Sequence, residues 1–296
     1  MEDIKINFLG TGDMIPTAKR NHTSILTGVC GENILIDCGE GTQRKLRIAG
    51  ISPTKIDRIL ITHWHGDHIL GLPGLFQTLF MMNYSKNLKI YGPKGTNHYM
   101  SILRELVKHI NIKFEVHEVF GKFIDEKDFY VEAKSMHHGT PTNAYSIVLK
   151  DRRRLDKGKL KKLKIPNSPL IKNLQQGKDI VLNGKKIKAS SVSYTEKGKK
   201  ACFILDTGMN QDALEFAKDS DILVMESAFA SQDAEKAKEY LHLTAADAAG
   251  IAKKAKAKRL ILTHISQRYE RNPEIIEKEA KKIFKNVSLA KDFDSF

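Results

Sequence analysis

The amino-acid sequence predicts a layered α/β domain, with sheets inside and helices outside. Short apolar segments typical of strands alternate with segments of helical spacing, and both kinds occur in the first and the last part of the chain. The chain has 296 residues and is 41% hydrophobic, which is enough apolar material for a sizeable core and argues against a disordered protein. A strongly basic stretch interrupts the alternation near the middle.

The individual elements follow from apolar runs and from residues that begin or end helices. Before the basic stretch we expect strands at residues 4–9, 33–37, 58–62, 88–91 and 129–135. Helices are predicted at residues 42–49, ended by Gly50, and over residues 96–109. After the stretch we expect strands at residues 187–194, 201–206, 222–226 and 259–263. Thr244 is a suitable N-cap for a last helix that ends near residue 256.

The basic stretch spans residues 150–188. It holds 14 Lys and Arg against three acidic residues, a net charge of +11 within a whole-chain net charge of +14. It also contains Pro166, Pro169, Gly158 and Gly177, which interrupt regular structure. We therefore predict an arm inserted between two halves of one domain, residues 1–149 and 189–296. Such a concentration of positive charge suggests a polyanionic partner.

Composition also bears on location. No stretch approaches 18 uninterrupted apolar residues, so we expect no transmembrane helix and no membrane partner. The first eight residues resemble a strand and lack the basic-then-apolar order of a secretion signal. The three cysteines form no CxxC pair, so a disulfide framework is improbable. A reducing cytoplasm fits this pattern best.

The strongest chemical signal is a cluster of metal-ligand side chains directly after the strand at residues 58–62. His63, His65, Asp67 and His68 lie within six residues. Imidazole and carboxylate groups are ligands that zinc prefers. Four ligands at so tight a spacing do not serve one ion comfortably, which favours a site for two cations. The alternative is a polar surface loop that is merely rich in histidine.

Further ligands are expected where later strands end. His137 and His138 follow the strand at residues 129–135, Asp206 ends the strand at 201–206, and His264 follows the strand at 259–263. Each residue alone is weak evidence, but the shared position after an apolar strand makes the set informative. At this point the sequence leaves His137 and His138 as alternatives.

Several segments resemble a known family. They are residues 8–12 (FLGTG), 20–24 (RNHTS), 37–44 (DCGEGTQR), 71–75 (GLPGL) and 262–269 (LTHISQRY), together with the HxHxDH motif at 63–68. On these motifs the chain is identified as similar to the metallo-β-lactamase superfamily and, within it, to the ribonuclease Z enzymes that process tRNA 3′ ends. The resemblance covers essentially the whole chain. It implies an αββα sandwich with an inserted basic arm, the exosite.

The resemblance also implies a set of metal ligands and two zinc ions per subunit. One ion would be held by His63, His65 and His138, the other by Asp67, His68 and His264, with Asp206 bridging both. His138 is preferred to His137 because the family's ligand lies seven residues before the Tyr of a Gly-Tyr or Ala-Tyr pair, here Ala144-Tyr145.

The implied activity is zinc-dependent endonucleolytic removal of the 3′ trailer from precursor tRNA, by hydrolysis of one phosphodiester bond. Two metal ions ~3.5–4 Å apart can clamp both sides of an in-line displacement at phosphorus. His242 matches a family position that would protonate the leaving 3′-oxygen, and Glu226 matches an acidic position that would orient it. Asp67 would be a metal ligand that also shuttles a proton. Met225 and Leu243 replace polar family residues, which puts hydrogen bonds around the site in doubt.

The resemblance further implies that the arm grips the elbow of the tRNA and that the protein is a homodimer. Residues 165–170 resemble a Pro-rich segment of the family arm, with Asn167-Ser168 where the family has Pro-Gly. Positive charge suits a phosphate backbone. Two other functions remain open. One is hydrolysis of small phosphodiesters or sulfate esters on the same fold, and the other is RNA binding without catalysis.

Overall fold

The computed structural model describes residues 4–296 and divides them into two compact units, residues 4–148 with 200–296, and Leu149–Lys199. The first three residues, which belong to the predicted first half, lie outside the described residues. The larger unit holds two sheets. The first has six strands in sequential order: β1 (Lys5–Gly10), β2 (Ser24–Val29), β3 (Glu32–Ile36), β4 (Arg58–Leu60), β5 (Leu88–Gly92) and β6 (Phe114–Glu118).

The second sheet of the larger unit has seven strands. Along the chain they are β7 (Gly121–Asp125), β8 (Phe129–Met136), β9 (Thr142–Leu149), β14 (Lys200–Ile204), β15 (Ile222–Glu226), β16 (Leu260–Thr263) and β17 (Val287–Leu289). Their order in the sheet is β17-β16-β15-β14-β9-β8-β7. Strands β14 to β17 run parallel to one another, so their carboxyl ends meet at one edge. That edge carries part of the candidate site.

Helices cover the outer face of each sheet. The first sheet carries α1 (Thr42–Ile48), α3 (Leu72–Met81) and α4 (Thr96–Leu106), and the short α2 (Gly66–Ile69) precedes α3. The second sheet carries α7 (Gln211–Ala217), α9 (Ala245–Lys254) and α10 (Glu274–Ile283), with the short α8 (Ala234–Glu239) between α7 and α9. Apolar residues that are fully buried, such as Leu46, Phe76 and Ala248, fill these two helix–sheet layers.

The two sheets contact each other through their inner faces. The Tyr145 hydroxyl on β9 donates a 2.6 Å hydrogen bond to the carbonyl of Ile61, beyond the end of β4. The Tyr91 ring on β5 lies 5.0 Å from the Phe123 ring on β7. Strands covered on both faces have few polar positions, which explains the apolar runs at residues 222–225 of β15 and 260–262 of β16. The layered α/β prediction is confirmed as an αββα sandwich.

The unit Leu149–Lys199 has its own elements and a small core. It contains β10 (Arg152–Leu155), α5 (Lys157–Lys162), α6 (Leu170–Gln175), β11 (Ile180–Leu182), β12 (Lys185–Ile187) and β13 (Ser193–Glu196). β10 pairs antiparallel with β13, and β11 pairs antiparallel with β12. The buried core side chains of this unit are those of Ile165, Leu174, Ile180, Ala189 and Val192. We call Leu149–Lys199 the arm.

The arm extends further than the basic run. It begins one residue before residue 150 and ends at Lys199, eleven residues after residue 188. The single strand predicted at residues 187–194 is wrong: β12 ends at Ile187, a short 3₁₀ turn spans Ala189–Ser191, and β13 follows. β13 pairs with β10, which lies near the start of the arm in sequence. This long-range pairing, rather than the charge pattern, sets where the arm ends. Charge density alone could not reveal that pairing.

Other local predictions can be compared directly with the structure. Thr244 caps α9 through a capping box, in which the Thr244 side chain accepts from the backbone N–H of Asp247 and the Asp247 carboxylate accepts in return. The strand prediction at residues 222–226 is confirmed, since β15 has the same bounds. β2 and β9 had not been predicted. Among residues 4–296, no helix combines the length and apolar character needed to cross a bilayer.

Candidate metal centre

The HxHxDH segment forms a loop and a short helix after β4. His63 follows the buried residues Ile61 and Thr62, and His65 is the N-cap of α2. Asp67 and His68 lie in the first turn of α2 and are both buried. A hydrogen bond from the segment after β3 holds the backbone in place: the N–H of Cys38 donates to the carbonyl of His68 at 2.7 Å. Four ligand-type side chains thus leave one rigid segment and face the same space.

Two groups of possible ligands meet around Asp206. In the first group, Nε2 of His63 and Nε2 of His138 lie 3.0 and 3.2 Å from Nδ1 of His65. The Oδ2 atom of Asp206 lies 3.5 Å from the same His63 nitrogen and 3.9 Å from the His138 nitrogen. These four donor atoms surround one position.

The second group uses the other oxygen of the same carboxylate. Oδ1 of Asp206 lies 3.4 Å from Nε2 of His68 and 3.2 Å from Nε2 of His264. Oδ2 of Asp67 lies 3.2 and 3.3 Å from those two nitrogens. Asp206 therefore faces both groups, one oxygen to each.

The donor atoms fit two tetrahedral metal ions. Ligands about 2.0–2.1 Å from a tetrahedral zinc ion lie roughly 3.3 Å from one another, which agrees with most of the separations in both groups. The buried Oδ1 atom of Asp206, which faces the second group, has no hydrogen-bond partner. A buried carboxylate oxygen without a partner is costly, and a cation held by the second group would remove that cost. The residues present thus fit a pair of divalent cations.

Three residues at strand ends have left-handed backbone conformations. The φ angles are 57° for Asp37, 29° for Asp206 and 57° for His264. Such angles cost of order 1–3 kcal/mol for a non-glycine residue and cluster at functional sites. Here they turn the side chains inward at the edge where the parallel strands end.

Asp37 is a site residue to which sequence reasoning gave no role. Its carboxylate accepts hydrogen bonds from the N–H and the hydroxyl of Thr62, both at 2.7 Å, and lies 2.7 Å from Nδ1 of His68. A carboxylate behind a ligating imidazole fixes the ring orientation and leaves Nε2 for the metal. The signal was available, since Asp37 ends the predicted strand at residues 33–37 as Asp206 ends its own.

The electrostatic environments of two histidines in the HxHxDH segment differ. Burial, with help from nearby imidazoles, holds the pKa of His63 well below its ordinary value. Burial also opposes the charged form of His68, but the carboxylates of Asp206, Asp67 and Asp37 outweigh it and raise its pKa. Opposite shifts in one cluster are typical of groups arranged for metal or proton chemistry.

The partly buried His242 and the fully buried Glu226 form a pair beside the second group. Nδ1 of His242 lies 2.9 Å from Oε1 of Glu226, which is the last residue of β15. The N–H groups of Thr207 and Leu243 also donate to the Glu226 carboxylate, at 2.8 and 3.2 Å. Burial disfavours the imidazolium of His242, but the charge and the hydrogen bond of Glu226 dominate and raise its pKa to about 9. Glu226 therefore favours the charged form of the His242 ring.

A cavity of about 380 Å³ opens onto these groups. Its wall includes His65, Asp67, His138, Asp206, His242 and His264 on the polar side. On the other side it is lined by residues of loops and turns between the regular elements, among them Met14, Ile15, Phe229, Tyr240 and Arg268. The donor groups are thus reachable by a ligand from outside.

All sequence-predicted site residues converge in this region. The His137 side chain is exposed and lies outside both groups, while its carbonyl accepts a 2.8 Å hydrogen bond from the N–H of Gly208. The side chains of Met225 and Leu243 are fully buried in the core of the second sheet. The hydrogen bonds to Glu226 come from the backbone, so these two apolar residues do not remove them.

Comparisons with known proteins bear on the fold and the family of the chain. A family model described as "Anti-Pycsar protein Apyc1" matches residues 4–153, and one described as "Beta-lactamase superfamily domain" matches residues 163–265. The solved structure of human tRNase Z, short form, aligns with a TM-score of 0.70 at 26% identity and covers 99% of this chain and 98% of its own.

Curated relatives match over nearly the full length. Ribonuclease Z of Methanosarcina acetivorans is 36% identical over 294 residues, 98% of this chain and 96% of the relative. Ribonuclease Z of Bacillus velezensis is 38% identical over 300 residues, 98% of this chain and 97% of the relative. The αββα fold and its clustered ligand residues define a member of the metallo-β-lactamase superfamily. Within that superfamily, the chain belongs to the ribonuclease Z family.

Proposed function

We propose that this protein is a zinc-dependent endoribonuclease that removes the 3′ trailer of precursor tRNA. It hydrolyses one phosphodiester bond and leaves a 3′-hydroxyl on the tRNA and a 5′-phosphate on the trailer. The single observation that carries the proposal is the shared carboxylate of Asp206, each oxygen of which faces a separate group of histidines in a ribonuclease Z family member.

The proposed ligands of the first zinc ion are His63, His65 and His138, and those of the second are Asp67, His68 and His264, with Asp206 shared. When bound, two zinc ions would lower the pKa of a water molecule and neutralise charge on the phosphoryl oxygens. The protein groups hold these positions through the rigid HxHxDH segment and the strand ends. Oδ2 of Asp67 faces the second group of ligands, and its Oδ1 is the proposed acceptor of a proton from an attacking water.

The leaving 3′-oxygen needs a proton, and His242 is the proposed donor. Its Nδ1 is bonded to Glu226, so Nε2 is the nitrogen that delivers the proton to the substrate. Glu226 holds the ring and favours its charged form. The carboxylate is itself fixed by backbone N–H groups, which keeps it from rotating away.

The arm is the proposed tRNA-binding element. It carries 16 Lys and Arg against four acidic residues, a net charge of +12 in 51 residues. Within it, a cavity of about 670 Å³ is bordered by Lys162, Lys164, Lys185, Lys186 and Lys188. A concave surface lined by lysine is suited to a phosphate backbone and reads shape rather than base sequence.

We also propose a homodimer in the cytoplasm. α3 and α4 expose several large apolar side chains, among them Met81, Ile102 and Leu106, each more than half exposed. A patch of this kind marks a contact surface in a protein that is otherwise rich in charge. Light scattering on the purified protein at micromolar concentration tests the dimer, and twice the chain mass of 33.4 kDa is expected.

Cleavage of a 3′-extended precursor tRNA tests the function. The zinc-loaded protein is expected to make one cut near the acceptor stem, and Asp206→Ala is expected to abolish it. Bis(p-nitrophenyl) phosphate is assayed in parallel. Hydrolysis of that ester with intact tRNA would support the alternative, a hydrolase of small phosphodiesters or sulfate esters. Binding of tRNA without cleavage of either substrate would support a silent RNA-binding protein.

A further inference from the structure

The end of the chain clamps a loop that borders the candidate metal centre. We call residues 12–20 the rim loop and infer that Asp292 is a positioning residue for it, so that the rim loop contacts the bases next to the scissile bond. This inference rests on the proposed function for its substrate. The contact of Asp292 with the loop stems does not depend on that function.

Asp292 joins both stems of the rim loop. Its Oδ1 accepts a 2.8 Å hydrogen bond from the Thr11 hydroxyl, and its Oδ2 accepts a 2.9 Å hydrogen bond from the N–H of Asn21. Thr11 directly precedes the loop and Asn21 directly follows it. The side chain of Asp292 is only 4% exposed, and Lys45 neutralises it with a 2.6 Å ion pair to Oδ2.

A second set of hydrogen bonds ties the first and last residues of the rim loop to the stems and to the chain end. The guanidinium of Arg20, which is buried, donates to the Thr11 hydroxyl at 2.7 Å and to the carbonyl of Ala290 at 2.6 Å. The N–H of Gly12 donates 2.8 Å to the carbonyl of Asn21, which closes the base of the loop. The stems are therefore fixed by buried, partly charged hydrogen bonds, which are the stronger kind.

The tip of the rim loop faces the site. Asp13, Met14 and Ile15 line the cavity together with the possible metal ligands. The N–H of Asp13 donates 3.3 Å to the carbonyl of Ile265, next to His264. Met14 and Ile15 are 60% and 55% exposed, although both are apolar.

The exposed apolar tip indicates what it binds. Methionine and isoleucine side chains offer no hydrogen bond to phosphate, but they pack against the flat apolar faces of unstacked bases. A precursor tRNA has such bases where the acceptor stem gives way to the single-stranded trailer. The rim loop thus contributes base contacts near the cut, and Asp292 sets how closely those contacts approach the metal ligands.

Asp292→Asn tests the clamp with almost no change in size. The amide oxygen of Asn still accepts from Thr11, but the amide NH₂ then faces two donors, the N–H of Asn21 and the ammonium of Lys45. The bond to the second stem is lost. The matched control is Asp294→Asn in the same segment, because the Asp294 carboxylate accepts a hydrogen bond from the N–H of Lys291 and none from Thr11 or Asn21. Lys45→Met separates loss of the ion pair from loss of the stem bond.

Two measurements are made on the zinc-loaded variants. Hydrogen exchange of the Asn21 amide is expected to accelerate by about tenfold or more in Asp292→Asn, and not in Asp294→Asn or Lys45→Met. The KM for precursor tRNA is expected to rise by about fivefold or more in Asp292→Asn, with kcat/KM for bis(p-nitrophenyl) phosphate within about twofold of wild type. Unchanged Asn21 exchange, or an equal loss on both substrates, would overturn the inference.

Two fallback measurements cover a variant that does not fold and a wild-type enzyme that does not cleave tRNA. If Asp292→Asn does not fold, the double variant Met14→Ser/Ile15→Ser is used, and a wild-type KM for tRNA in that variant would overturn the role of the loop. If wild-type enzyme does not cleave tRNA, the proposed function fails, while the exchange measurement still reports on the clamp.

Discussion

Oδ2 of Asp37 lies 2.7 Å from Nδ1 of His68, and both side chains are fully buried between the sheets. The same carboxylate holds Thr62, one residue before His63. Asp37 thus connects the start of the HxHxDH segment to its last histidine. The orientation of the possible ligands depends on this carboxylate as well as on the loop itself.

Asp37→Ala is expected to weaken zinc binding. His68 would lose the acceptor that fixes its ring, and a missing partner of this kind costs about 10–100-fold in metal affinity. Competition with a chelator of known affinity measures the change. Asp57→Ala is the matched control, because Asp57 accepts from the N–H of Asn33 on the first sheet but contacts none of the possible ligands. Equal affinity in the two variants would contradict the role assigned to Asp37.

His242→Ala is expected to slow single-turnover cleavage by about 10²–10⁴-fold, because the leaving oxygen would depart without a proton. Zinc content should stay at the wild-type value, since His242 is not among the proposed ligands. Inductively coupled plasma mass spectrometry on the same sample checks this. Near-normal cleavage with full zinc content would show that another group supplies the proton.

Glu226→Gln gives a pH-dependent form of the same prediction. Glu226 raises the pKa of His242, so the neutral glutamine lowers that pKa and the imidazolium is lost at a lower pH. In a plot of cleavage rate against pH, the rate falls at high pH because the His242 imidazolium loses its proton. This alkaline limb of the profile is expected to move to lower pH in Glu226→Gln than in wild type. Pre-steady-state rates between pH 6 and about pH 10 measure the limb. A limb at the wild-type position would contradict the pairing.

Gly39→Ala is expected to disturb the metal-ligand segment. A Cβ atom at position 39 would lie 2.6 Å from the carbonyl oxygen of Asp67 and 2.5 Å from Cβ of His22. Such crowding costs about 1–3 kcal/mol of stability. Gly250→Ala in α9 meets nothing within 4 Å and is expected to stabilise by about 0.5–1 kcal/mol. Thermal unfolding measures both, and a Gly39→Ala midpoint at or above wild type would contradict the expected crowding.

The lysines around the arm cavity are expected to carry much of the salt dependence of tRNA binding. The test variant changes three of them, Lys162, Lys164 and Lys185, to Glu, and it should bind tRNA more weakly. The slope of log Kd against log salt concentration should fall by up to about one for each phosphate that is no longer neutralised. The control reverses three exposed lysines of α10 and the segment after it, Lys278, Lys282 and Lys285. Equal effects of the two triple variants would mean that net charge, rather than the arm surface, sets the affinity.

Much of the fold could be predicted from local patterns. β15 is a continuous apolar run bounded by polar residues, and α9 begins at a clear capping residue, so both were predictable. β13 could not be recognised because its partner, β10, lies about forty residues earlier and neither strand is strongly apolar. The basic charge located the arm, but backbone pairing set its ends.

The candidate site was likewise predictable only where local sequence patterns reveal it. Ligand-type residues after apolar strands are visible in the sequence, and family motifs group them. The roles of Asp37 and Asp292 depend on contacts across 31 residues with His68 and across 281 residues with Thr11, which no local pattern encodes.

Titration of the metal-free protein with zinc tests the central claim most directly. The account predicts that cleavage of precursor tRNA is absent without zinc, and that full activity requires two equivalents per chain. In Asp206→Ala, the shared ligand is removed, so two equivalents should neither bind tightly nor restore cleavage. Full activity at one equivalent, or cleavage by Asp206→Ala at the wild-type rate, would contradict a two-metal centre that shares Asp206.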